Sequence, residues 1–258
     1  MLFVMKSRIA ILSIALCFLF SACLEVEEKT TFTSADSGNF SLVVDVSKML
    51  SKLKVFGGAE QFKSLPLKDT TISFRSILSN DTIFSPQEKL LLADGKMQMN
   101  INVDSDQLKV VFSAPFTSIS QVAGLRNALF KVIAQSGKNA IPNVSEGASI
   151  ANSLSVINLN NLGFSYKAGN GSISNTLTDS ANIQRLVEQD STLQQIKMIS
   201  PLLDIPSTYT QVFTFTKPIK NYAATMAIVS TDKKTIIIKN DLQELFENPK
   251  ALEYSISY

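Results

Sequence analysis

The stretch 96–112, KMQMNINVDSDQLKVVF, decides how this chain folds. Met97, Met99, Ile101 and Val103 alternate with Gln98, Asn100 and Asn102, a period of two that lines one face of a strand with apolar side chains. Asp104-Ser105-Asp106 supplies turn chemistry, and Leu108 to Phe112 resumes beyond it. The unit therefore reads as a β-hairpin with one buried face. Upstream, Phe40, Leu42, Val44 and Val46 repeat the pattern after the turn formers Ser34 to Asn39. Downstream, Phe164 to Lys167 and Ser172 to Leu177 flank Gly169-Asn170-Gly171, a third hairpin.

Helix signals fall between these hairpins. Ser85, Pro86 and Glu88 spell a capped start, and Asp94-Gly95 a stop. Ser118 opens a helix to about Ala134, with Val122, Leu125, Leu129, Phe130 and Ile133 on one face. Ser47 caps a short helix bearing Met49, Leu50 and Leu53, and Asp179 caps one running to about Ile199. Strands are expected over Thr70 to Leu78, Tyr209 to Phe215, Ala224 to Val229, Thr235 to Lys239 and Leu252 to Tyr258, with a short helix from Asp241 to Phe246. Single helices between hairpins, without regular βαβ alternation, define an α+β fold: a largely antiparallel sheet of successive hairpins packed against a few helices. Polar residues 135–160, with Pro142 and Gly147, mark a loop or subdomain seam.

The amino terminus carries a different kind of message. Lys6 and Arg8 precede an apolar run from Ile9 to Phe20, about a dozen residues against the ~20 a spanning helix needs. Ser21 and Ala22 then stand directly before Cys23. Positive, apolar, small, Cys is the order of a lipobox, in which the signal peptide is cut off and the cysteine thiol takes the lipid. Residues 1–22 are thus expected as a removed signal peptide and Cys23 as the lipidated residue. Cys17, the rival acceptor, follows bulky Leu16 inside the apolar run. Residues 23–30, with Glu25, Glu27 and Glu28, read as a lipidated acidic tether, and 31–258 as the folded domain.

Composition narrows the function. Without residues 1–22 the basic and acidic residues balance at 22 each, so neither the whole chain nor any local run favours nucleic acid. Histidine is absent, which removes Ser-His-Asp and Cys-His catalysis, His-ligated zinc and the usual base near neutral pH. Asp94-Gly95, Asp104 and Asp106 lack calcium-loop order, and Gly169-Asn170-Gly171 precedes a strand where a phosphate cradle precedes a helix. No cofactor, metal or catalytic residue is expected. Glu88, Asp94, Asp179 and Glu188 could serve a carboxylate hydrolase, yet each already has a cap, turn or helix-surface role.

Across most of the chain beyond Cys23 the sequence resembles a family of Bacteroidetes lipoproteins. The likeness rests on the acidic start, the Ser34 to Val46 hairpin and the helix opening Ser47-Lys48-Met49-Leu50. Asp69 to Leu92 and Lys217-Pro218-Ile219 complete it. The turn Ala35-Asp36-Ser37-Gly38 departs from the family's Asp-Gly-Ser-Gly. More distantly the chain is similar to the mycobacterial LppM-type lipoproteins, whose sheet wraps a helix. The resemblance implies an envelope protein on the outer membrane, with Glu25, Glu27 and Glu28 as a surface-export signal. It also implies O-glycosylation at Thr82 and Ser180, within Asp81-Thr82-Ile83 and Asp179-Ser180-Ala181. The expectation is a non-catalytic lipoprotein, joined to the membrane by its lipid, that binds a hydrophobic ligand or an envelope protein. An adaptor subunit of an envelope complex is the competing expectation.

Overall fold

The computed structural model describes residues 25–48, 50–51, 69–78, 81–102, 104–140, 163–169, 171–189, 194, 208–241 and 244–258. Its large sheet contains β1 (Glu25–Phe32), β2 (Gly38–Asp45), β3 (Thr70–Ser73), β4 (Lys96–Asn102), β5 (Gln107–Phe116), β8 (Thr208–Thr214), β10 (Ala227–Val229) and β11 (Thr235–Asp241). They lie in the order β10-β11-β8-β1-β2-β5-β4-β3. The smaller sheet runs β6 (Phe164–Gly169), β7 (Ser172–Leu177), β12 (Tyr254–Ser257) and β9 (Asn221–Ala224). All pairings are antiparallel among the described strands except β1 with β8, whose chain directions agree. The α+β expectation holds.

The helices are α1 (Phe74–Leu78), α2 (Pro86–Leu92), α3 (Val122–Ala140), α4 (Ser180–Gln189) and α5 (Glu244–Glu247). The starts of α2 and α3 are capped where the sequence predicts, and Asp179 accepts the Asn182 amide ahead of α4. Ser47, expected as a cap, is itself helical, and its hydroxyl accepts the Leu108 amide instead. The Ser85 side chain accepts from the Glu88 amide while the Glu88 carboxylate accepts from the Ser85 amide. Ser118 and Gln121 do the same ahead of α3, through one 3-10 turn. Reciprocal bonds of this kind satisfy amides that a helix start leaves without partners. The apolar stripe of α3, from Val122 through Ile133, is buried and packs on β2 and β5. One apolar core joins this layer to the smaller sheet, where Phe213 meets Tyr254 and Phe215 stacks on Tyr258.

Several boundaries differ from the sequence reading. The expected strand from Thr70 stops at Ser73, and 74–78 are helical. There the Ser73 hydroxyl accepts the Arg75 amide, while Phe74 turns inward and stacks near Phe112 with 6.5 Å between ring centres. Residues 224–229 form no single strand: the chain bends at Thr225 and Met226, leaving β9 in the small sheet and β10 in the large one. Helix α3 runs to Ala140, so the first residues given to the 135–160 seam are helical, and 141–160 lie outside the described residues. Beyond Gln189 the helix expected to reach Ile199 also lies outside them, apart from helical Gln194.

The largest correction concerns the tether. Residues 25–30 are most of β1, fourth from the β10 edge of the large sheet and paired on both sides along its length. Val26, Thr30 and Phe32 point into the core, and Glu28 points the same way. Residues 25–30, expected as tether, are therefore part of the sheet along with Thr31 and Phe32.

Candidate functional site

One row of residues crosses the inner face of the large sheet in register: Ile238, Gln211, Glu28, Leu42, Phe112, Met97, Ile72. Four members on the β3 side are apolar. Gln211 and Glu28, side by side on β8 and β1, are not, and both are buried. Facing them across the core, the small sheet presents its own row of Tyr166, Asn175 and Tyr254, also buried. Period-two alternation puts these side chains on the inner faces, and the register aligns them into a layer.

Helix α3 completes the layer with Arg126. This residue sits between Leu125 and Leu129 on the buried stripe and has no exposed surface. Its Nε–H donates to both oxygens of Glu28 at 2.9 Å, and Nη2 donates to the Tyr209 hydroxyl at 3.0 Å. The guanidinium lies over two rings, 5.3 Å from Tyr166 and 5.6 Å from Phe130. Beside it the Gln211 amide donates to the Tyr254 hydroxyl at 3.1 Å, and the Asn175 amide to the Leu252 carbonyl at 3.2 Å.

Electrostatics hold the arginine of the layer charged and its tyrosines neutral. Burial alone would pull the Arg126 guanidinium down, but the facing Glu28 carboxylate pushes it well above its ordinary value. Burial and the Glu28 charge raise the Tyr209 phenol far above the usual tyrosine range. Tyr166 is raised by burial, and Tyr254 by burial with Tyr166 beside it. None of these four groups exchanges a proton near neutral pH, so they supply no general acid or base there. What the layer offers is polar satisfaction. The Asn175 carbonyl oxygen and the Gln211 carbonyl oxygen are buried with no hydrogen-bond partner. Two acceptors in such a layer suit a buried water or another small donor.

The sequence-predicted site residues are not gathered here. Cys23 lies outside the described residues. Glu25 pairs with Lys48 at the sheet's end, Glu27 lies on the outer face, and Glu28 is 3% exposed in the ion pair. Glu25 and Glu27 thus share the outer face of β1, and Glu28, next along the strand, faces the core. Thr82 is exposed in a turn where Asp81 accepts the Ile83 amide, and Ser180 is exposed at the start of α4. Arg126, Tyr209, Gln211, Tyr166, Asn175 and Tyr254 were not anticipated. One readable signal existed: an arginine inside an apolar helical stripe, four residues before Phe130.

Among the described residues no group of three or more His, Cys, Asp or Glu could hold a metal ion, and no helix is long and apolar enough to cross a membrane. No family model and no curated protein matches the chain. Among solved structures it is similar to the folded domain of Mycobacterium tuberculosis LppM, determined by NMR, at 7% identity and a TM-score of 0.39. That likeness covers 92% of this chain and 90% of the other.

Proposed function

We propose that this chain is a non-catalytic lipoprotein of the cell envelope, anchored on the outer membrane through Cys23, whose domain binds a protein partner. The anchor rests on the order of Lys6 and Arg8, the apolar run, Ser21-Ala22 and Cys23. A single structural observation carries the binding half. Of five large apolar side chains exposed among the described residues, Tyr222, Met226 and Ile228 fall within one short segment. That segment passes from β9, at the edge of the small sheet, to β10, at the edge of the large one. Scattered apolar residues need no explanation, but a cluster along sheet edges favours association.

A hydrophobic ligand is the less supported alternative. It would need room between α3 and the sheet, where Phe40, Leu42, Leu125 and Leu129 are fully buried in one packed cluster. The absence of histidine, and burial of Arg126 and Tyr209 with both groups pushed well above their ordinary ranges, support a non-catalytic role.

Two experiments test the reading. Cys23→Ser should move the protein from the membrane pellet to the soluble fraction, and unchanged sedimentation would remove the anchor. A photo-crosslinking residue placed at Tyr222 or Ile228 in living cells should capture one discrete partner. The same residue at exposed Thr71, on the opposite edge strand, should capture none. Equal capture at both edges, or none at Tyr222 and Ile228, would defeat the partner assignment.

A further inference from the structure

The tether correction removes slack between lipid and fold. Glu25, the first residue of β1, is already paired with Asp45 on one side and Thr208 on the other. Only Leu24 separates it from Cys23, and two residues of extended chain reach at most about 7 Å. β1 is also an inner strand, with three strands on one side and four on the other. Building on the anchor proposed above, we infer that the end of the large sheet carrying Glu25, Asp45 and Thr208 rests on the lipid headgroups, with the strands rising from the membrane.

The described residues at this end are polar. Across six strands the register there reads Asp241, Thr208, Glu25, Asp45, Lys109, Asn100. All are polar or charged, and the β4–β5 turn beside them adds exposed Asp104 and Ser105. Exposed Ile83 and Leu90 lie elsewhere, in the segment that leaves β3 at its opposite end. Among the described residues, then, none of the exposed large apolar side chains lies at the anchored end. Seven strand steps of ~3.3 Å place the opposite end about 23 Å farther out, at the β1–β2 and β10–β11 turns. The Tyr222–Ile228 edge then faces sideways, along the membrane plane.

Single cysteines at Ser51 and Ser105 report the anchored end, and at Ala35 and Thr231 the far end; all four positions are exposed. Cys23 is blocked by lipid in the full-length protein, so each new thiol takes one fluorophore. The lipidated protein is reconstituted in phosphatidylethanolamine–phosphatidylglycerol vesicles containing a lipid spin-labelled on its headgroup. The fluorophores at 51 and 105 should lose most of their emission, and those at 35 and 231 almost none. Two sites per end keep the result readable if one variant misfolds. Flotation with the vesicles but equal quenching at both ends would mean the sheet lies flat, overturning the orientation while leaving the anchor intact. Failure to float would overturn both.

Discussion

The inner face of the large sheet is built in two halves that obey different chemistry under the same helix. Toward β3, the central row holds Leu42, Phe112, Met97 and Ile72, and α3, with Leu125 and Leu129 buried on its stripe, packs on β2 and β5. Toward β8 the row turns polar at Glu28 and Gln211, and the same helix meets it with Arg126. The apolar half is held by area removed from water, roughly 25 cal/mol per Å² of apolar surface. It tolerates exchanges that keep volume. The polar half depends on partners: a buried charge is stable only while its counter-charge and hydrogen bonds are present. One half is thus specified by composition, the other by pairing between distant segments.

The widest test of this contrast removes a piece of the polar half outright. Deleting residues 24–30 while keeping Cys23 would shorten a tether and leave a stable domain, if those residues were only a spacer. Because they form an inner strand, the deletion should instead abolish cooperative folding. β2 and β8 would lose their common neighbour, and Arg126 would lose Glu28. Circular dichroism and urea titration of the deletion variant distinguish the outcomes. A sigmoidal unfolding transition like that of the parent would restore the tether.

A subtler break separates charge from packing. Glu28→Leu should destabilise by about 3–5 kcal/mol, the cost of leaving a buried partner charge uncompensated. Arg126→Met should cost a similar amount for the same reason. The double variant should recover most of either loss, because two apolar side chains leave no charge stranded. Urea midpoints at constant m-value give the cycle. Simple additivity of the two losses would show that the halves are held by the same forces after all.

These halves also differ in how far the sequence reveals them. The apolar one was legible: alternation at 40–46 and 97–112 gave the strands β2, β4 and β5, and the periodicity of 118–134 gave α3 and its buried face. Local patterning is enough there because water exclusion acts residue by residue. Residues 25–30 carried the same period of two, with Val26, Thr30 and Phe32 in phase. A glutamate occupied the inward position between them, and a charge there reads as solvent-facing unless its partner is known. That partner, Arg126, lies 98 residues away, and no local rule connects them. The run at 224–229 failed for a related reason: its residues looked like one strand, and only pairing with β11 and β12 shows that two sheets divide them.

The smallest expected effect makes the sharpest comparison, because it changes the neighbouring residue with the same side chain. Glu27 lies on the outer face of β1, between Val43 and Thr210, and is only partly buried. Its carboxylate stays hydrated, so Glu27→Gln should shift stability by less than about 0.5 kcal/mol, as substitutions away from buried networks usually do. Glu28→Gln, one position along, keeps the size but replaces one carboxylate acceptor of the Arg126 Nε–H with an amide donor and removes the charge facing Arg126. Any difference between the two variants therefore measures the pairing of Glu28 with Arg126, charge and hydrogen bonds together, since strand propensity and side-chain size change equally in both. Matching urea midpoints would mean that the Arg126 charge is compensated by something other than Glu28, and the division of the sheet into two chemistries would fail at its centre.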